Sequence, residues 1–188
     1  MRTLIRYLAL TVLVLVASRG AAQDSSASAL QQDTQSAFEI SSPVFADKGV
    51  IPPKYACRGA NVNPPLVLRN LPEGTKSLVL SMHDPNGISG VWVHWVVFNI
   101  SPDRLRIGEN SVPGAEALND FGNYYYSGPC PADDEKHNYI FTIYALKDYL
   151  REANEGDTLD TLEKMMAGKI IAQARLTGTY ENPKWDQR

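Results

Sequence analysis

Three histidines and one aspartate carry most of the chemistry this chain can offer: His83, Asp84, His94 and His137. An imidazole donates through its ring N–H, and a neighbouring carboxylate orients the ring or supports its charge. Two such rings with an aspartate suit oxyanion binding, general acid–base catalysis or part of a metal's ligand set. His94 lies inside the apolar run Val91-Trp92-Val93-His94-Trp95-Val96-Val97, where the ordinary reading is a hydrogen-bonded core histidine. His137 closes a polar stretch, 132–138, just before a strand. Asp84-Pro85 ends another strand and opens a turn, a place where aspartate commonly builds an Asx turn. His83 adjoins Asp84, but strand alternation aims it at the opposite sheet face, so it stays outside the candidate site.

The stretch 120–131 reads DFGNYYYSGPCP. Gly122, Gly128, Pro129 and Pro131 make it a shaped loop, and Gly128 can let backbone N–H groups approach a ligand closely. Nothing marks an activated nucleophile: Ser89 and Ser127 are loop serines, and no Gly-x-Ser-x-Gly, P-loop or Gly-x-Gly-x-x-Gly motif is present. The expectation is a binding protein and not an enzyme, with no cofactor and no metal; a hydrolase or metal-dependent activity is the lesser alternative.

These residues are positioned by strands. The runs 76–83 (KSLVLSMH), 91–100 (VWVHWVVFNI), 139–146 (YIFTIYAL) and 169–180 (KIIAQARLTGTY) read as β, the second as a central strand buried on both faces. One helix stands out: Asp157-Thr158 offers its N-cap, Leu159, Leu162, Met165 and Met166 share a face, and Gly168 stops it. A weaker helical stretch is expected at 148–153. The pattern is β-rich α+β, a sheet core with a few peripheral helices, and not an alternating βαβ chain.

The chain has 188 residues and 44% hydrophobic content, enough for one domain with a core of its own. Arg2 and Arg6, a short apolar run at 8–17 and the small residues Gly20-Ala21-Ala22 form the three parts of a secretory signal peptide, residues 1–22. That run is much shorter than the roughly 20 residues a membrane anchor needs. No Cys follows it, so a lipid-anchored form is not indicated. The expected product is exported, periplasmic or secreted, with a flexible leader at 23–37 and a single domain at 38–188. Removing 1–22 takes away three arginines and no acid, leaving 15 basic against 21 acidic residues and a charge of −6. Such a field repels nucleic acid and anionic membranes at long range, without forbidding one local anion site. Stable membrane insertion after cleavage and nucleic-acid binding are therefore not expected. Cys57 and Cys130 are an even pair in an exported chain, read by default as a disulfide, with two buried free thiols as the alternative.

Taken in order, these pieces resemble a known family: Asp84-Pro85, the Val91–Val97 run, Asn119-Asp120-Phe121-Gly122, Tyr126-Ser127-Gly128-Pro129-Cys130-Pro131 and His137-Asn138-Tyr139. The chain resembles the phosphatidylethanolamine-binding protein family, in the bacterial branch named after Raf kinase inhibitor protein. Supporting pieces are Cys57 with Asn61-Val62-Asn63-Pro64-Pro65-Leu66, and Leu71-Pro72-Glu73-Gly74. The resemblance implies a β-sheet core with one small anion pocket at its end. It also implies that Asp84, Trp92, His94, Gly128, Pro129, His137 and Tyr139 line that pocket, and that phosphate-type groups, phospholipid head groups among them, are its ligands. An inhibitor or interaction role toward a protease or host protein is the alternative partner class. Two departures stand out. Family members usually continue the Asp-Pro motif as Asp-Ala-Pro, whereas Asn86-Gly87-Ile88 follows Pro85 here. The usual His-Arg-Tyr is His137-Asn138-Tyr139, which removes a cation beside the pocket.

Overall fold

A computed structural model describes residues 37–132 and 135–182. The expected signal peptide, the leader up to residue 36 and residues 183–188 lie outside the described residues. In chain order the elements are β1 (Glu39–Ser41), β2 (Gly49–Val50), a 3-10 turn (Pro53–Tyr55), β3 (Leu66–Arg69), β4 (Ser77–Gly87), β5 (Gly90–Ile100), β6 (Arg106–Ile107), β7 (Ala115–Glu116), β8 (His137–Leu146), α1 (Leu159–Met166) and β9 (Ile170–Tyr180). They form a six-stranded sheet of order β2-β9-β8-β4-β5-β7 and a three-stranded sheet of order β1-β3-β6. Among these named strands β2 and β9 pair parallel and the rest pair antiparallel. The protein is thus sheet-rich, with a single α-helix among the described residues.

Alternation along the strands divides the apolar side chains between two cores. Leu78, Leu80 and Met82 of β4, Phe141 and Ile143 of β8 and Trp95 and Val97 of β5 pack on one face, where the small sheet adds Ile40, Leu66, Leu68 and Ile107. Val79, Val96, Phe98 and Tyr144 point to the other face, against Leu162 and Met166 of α1. Burying each of those two helix side chains stabilises the fold by about 1.5–3 kcal/mol. The helix starts where Thr158 accepts a bond from the Thr161 N–H, and the chain turns away at Gly168, whose φ is +71°.

Three details differ from the sequence expectation. The strand does not turn at Asp84-Pro85; β4 continues to Gly87, because a register shift lets Pro85 sit where the ladder needs no N–H. Residues 148–153 are turns and not a helix, since the Asn99 side chain binds both the N–H and the carbonyl of Leu150. β5 is buried at 94–98 but lies one strand from the sheet's edge. Beyond the two-residue β7, its outer edge is closed by a loop: Ala117, Asp120 and Ser127 donate their N–H groups to the carbonyls of Val96, Val93 and His94. No helix among the described residues is long and apolar enough to cross a membrane.

Candidate functional site

A cavity of about 240 Å³ opens where β4, β5 and β8 end together. Asp84, Trp92, His94 and His137 line it, with Gly87, Ile88 and Ser89 from the β4–β5 hairpin and Phe121, Cys130, Pro131 and Ala132 from the loops. Strand geometry explains the meeting. Asp84 stands opposite Trp92, and His137 begins β8 on the other flank of β4. His94 arrives by a bulge: β4 and β5 pair Met82 with Trp95 and then His83 with Val93, so His94 is the extra residue between them. A bulge re-aims a side chain without changing the strand's composition. His83 stays on the opposite face, half-buried near Arg175.

The buried Asp84 carboxylate uses both oxygens. Oδ1 accepts the Asn86 N–H at 2.7 Å, which is an Asx turn, and Oδ2 accepts His137 Nδ1–H at 2.7 Å. An ionised carboxylate can only accept, so this bond places the proton on Nδ1 of His137. His94 Nδ1 lies 2.7 Å from the Ser127 carbonyl, which likewise makes Nδ1 the donor. Burial holds the His94 pKa below its ordinary value; the Ser127 carbonyl and the Asp84 charge pull the other way. Tyr139 is fully buried behind these groups, its ring edge-on to His94 at 5.2 Å. Its hydroxyl has no well-formed hydrogen bond among the described residues. Burial first, then the Asp84 carboxylate, raise its pKa, so it stays a neutral donor.

Gly128, Pro129 and Tyr139 do not line the cavity; they back its wall. The Gly128 N–H is engaged by Asn61 Oδ1 at 2.8 Å, and the Pro129 carbonyl accepts the Cys57 N–H at 3.0 Å. Gly128 is glycine because it packs on the Tyr55–Ala56 backbone, where a Cβ would lie 2.1 Å from the Tyr55 oxygen. A disulfide between Cys57 and Cys130 ties the same wall.

Sequence reasoning gave no role to Asn119, which shapes this loop. The two N–H groups of the buried amide are shared among the carbonyls of His94 (3.0 Å) and Tyr125 (2.9 Å) and Ser127 Oγ (3.2 Å), and its oxygen accepts from the N–H groups of Phe121 and Asn123. Phe121 is thereby held edge-on against Trp92 and His94. The two departures from the family pattern touch each other: Asn86 Oδ1 accepts the backbone N–H of Asn138 at 3.0 Å and its side-chain Nδ2–H at 3.3 Å. Among the described residues no three His, Cys, Asp or Glu side chains gather as a metal's donor set.

Residues 41–181 match the family model of phosphatidylethanolamine-binding proteins. A UPF0098 protein of Chlamydia pneumoniae is 40% identical over 150 residues, covering 77% of this chain and 99% of its own. LppC of Mycobacterium tuberculosis, which carries a lipoprotein's name, is 39% identical over 145 residues, 76% of this chain and 71% of its own. Among solved structures, a phosphatidylethanolamine-binding protein homologue of Chlamydia trachomatis superposes with a TM-score of 0.75 at 39% identity, covering 78% of this chain and 99% of that one. E. coli YbcL, described as a member of the mammalian family, gives 0.73 at 26% identity, covering 79% and 100%.

Proposed function

The chain belongs to the phosphatidylethanolamine-binding protein family, and we propose that its cavity binds a small phosphate-type anion, the head group of a lipid or a phosphomonoester. The observation that carries this reading is the convergence of Asp84, His94 and His137 on one open cavity. A phosphoryl oxygen takes charge-assisted bonds from protonated imidazole, and Asp84 holds one of the two rings in a fixed tautomer. His94 with its proton on Nδ1 presents only a lone pair at Nε2. The anion therefore enters together with a second proton on His94, and binding strengthens as pH falls toward the lowered pKa of that ring. Ile88 and Phe121, which line the cavity, are 79% and 41% exposed, an apolar rim suited to a phosphoryl group bearing an acyl tail. Binding is proposed in preference to catalysis: Ser127 Oγ is engaged by Asn119, and among the described residues no hydrogen bond ties Ser89 to a base.

Calorimetric titration of the purified protein with phosphoethanolamine and with inorganic phosphate, beside His94→Ala, tests this. Saturable heat that His94→Ala abolishes is the expected result. No heat at millimolar ligand overturns it. The second reading, an interaction or inhibitor module, would then lead, since the same exposed rim suits a protein partner.

Export is part of the proposal. It is supported by the tripartite pattern at 1–22, the Cys57–Cys130 disulfide and the lipoprotein name of the mycobacterial relative. N-terminal sequencing of the protein from its native source should begin at Gln23; an intact Met1 terminus sinks the idea.

A further inference from the structure

The loop that closes the first cavity also walls a second. Phe121 lines the first, whereas Tyr125 and Tyr126 line a cleft of about 220 Å³ together with Trp95, Glu116, Asn61–Asn63 and 110–112. Its floor is Trp95 packed edge-on to Tyr126 at 5.5 Å, both rings buried. Its walls are rigid. The Asn63 side chain bonds the carbonyls of Pro64 and Gly108 and the N–H of Ser111, and Asn61 Oδ1 accepts the Gly128 N–H. Tyr125 stands at the cleft with more than half of its surface exposed, and its ring has no aromatic or cationic partner among the described residues.

The charge in this cleft is one-sided. Glu116 is its only carboxylate, and no Lys, Arg or His lines it. Oε1 accepts the Trp95 indole N–H at 2.8 Å, which fixes the carboxylate's orientation. Oε2 has no hydrogen bond, and Glu116 no ion pair, among the described residues. Burial raises the pKa of Glu116, against the indole bond, and the charge of Glu155 raises it further. A half-buried carboxylate with one oriented and unused oxygen, beside an open aromatic face, is complementary to an organic cation. Asn110, Ser111 and Tyr125 also line the cleft and carry side-chain oxygens able to accept the remaining N–H groups of such a cation.

We propose that this cleft binds an alkylammonium group, with Glu116 Oε2 accepting its N–H and the Tyr125 ring covering its alkyl chain. The site is separate from the anion cavity and does not depend on that reading.

The indole N–H of Trp95 reports on the site directly, because it is bonded to Glu116. The test is an NMR titration of the whole protein at fixed ionic strength with 1,4-diaminobutane, Nα-acetyl-lysine amide and 1-butanol. A saturable shift of the Trp95 indole resonance with either amine, and none with butanol, is expected. Response to the acetyl-lysine amide identifies a peptide side chain as the source; response to the diamine alone identifies a free amine. Glu116→Gln keeps an oxygen for the indole and so keeps the fold, while weakening amine binding about tenfold or more through loss of the charge. Tyr125→Ala, at an exposed ring, also weakens it. Equal amine affinity in Glu116→Gln, an equal response to butanol, or no saturation at millimolar amine overturns the proposal.

Discussion

Replacing Gly128 by alanine puts one methyl group where the structure has no room for it. The added carbon would sit 2.1 Å from the Tyr55 carbonyl oxygen, 2.9 Å from Asn61 Oδ1 and 3.0 Å from the Ala56 Cα. Ordinary C···O contact is about 3.3 Å, so the two segments must part by roughly 1 Å. Both are pinned. The Tyr55 carbonyl accepts the Tyr126 hydroxyl at 3.0 Å, the Cys57 N–H bonds the Pro129 carbonyl, and the disulfide closes the same contact. Overpacking of this kind costs about 1–3 kcal/mol. Displacing the Gly128 N–H from Asn61 and the Ser127 carbonyl from His94 adds about 1 kcal/mol each. Gly128→Ala should therefore lose about 3–5 kcal/mol, a large share of a typical stability of about 5–15 kcal/mol. Urea unfolding measures it, and anion affinity should fall with it, because the Ser127 carbonyl is what orients His94. A loss under about 1 kcal/mol at unchanged m-value would refute the account of why this residue is glycine.

Asn119→Ala removes two N–H donors shared among three acceptors and an oxygen accepting two bonds from a buried loop and should cost about 3 kcal/mol, with loss of the Phe121 wall seen as loss of anion binding; a stable variant with intact affinity argues against Asn119 as the organiser. Replacing both Cys57 and Cys130 by serine opens a link between residues 73 apart and should lower unfolding free energy by about 4 kcal/mol in urea, and a change under about 1 kcal/mol contradicts it. Burial lowers the pKa of His94, so below the ordinary value of about 6.5 the unfolded chain binds more protons than the folded one. Its contribution is full above that value and is lost as pH falls toward the lowered folded value. His83 acts in the same direction, so the measurement is the difference in pH slope between wild type and His94→Gln; equal slopes from pH 7.5 to 5 would contradict the sign.

What the sequence made legible follows periodicity. The long strands and α1 are visible because apolar residues recur at spacings of 2 and 3.6, and two cysteines behind an expected signal peptide point to their pairing. The parts it hid are those where one residue breaks the period. Pro85 reads as a stop, yet the hairpin runs on to Gly87 and carries Ile88 and Ser89 into the cavity. Gly128 reads as room for a ligand, whereas its hydrogen is pressed against the Tyr55 backbone. Asn119 shows only as part of a motif, since no local pattern reveals that its amide will meet a strand carbonyl 25 residues away.

His94 makes the same point in reverse. Strict alternation from Trp95, on the face of the main core, would send residue 94 to the face of Val96 and α1, away from Asp84. The one-residue slip in β5 brings His94 and Trp92 together at the cavity, while Trp95 keeps its place in the core and, through its indole, holds Glu116 in the second cleft. One bulge thus shapes two cavities on either side of one loop. The Asn86–Asn138 contact then has a physical reading: it joins the hairpin to the start of β8 directly beside Asp84 and His137. Where His-Arg-Tyr would place a cation beside the pocket, this chain has a neutral amide engaged by its neighbour, so among the described residues that line the cavity the histidines are the groups able to carry positive charge toward a bound anion.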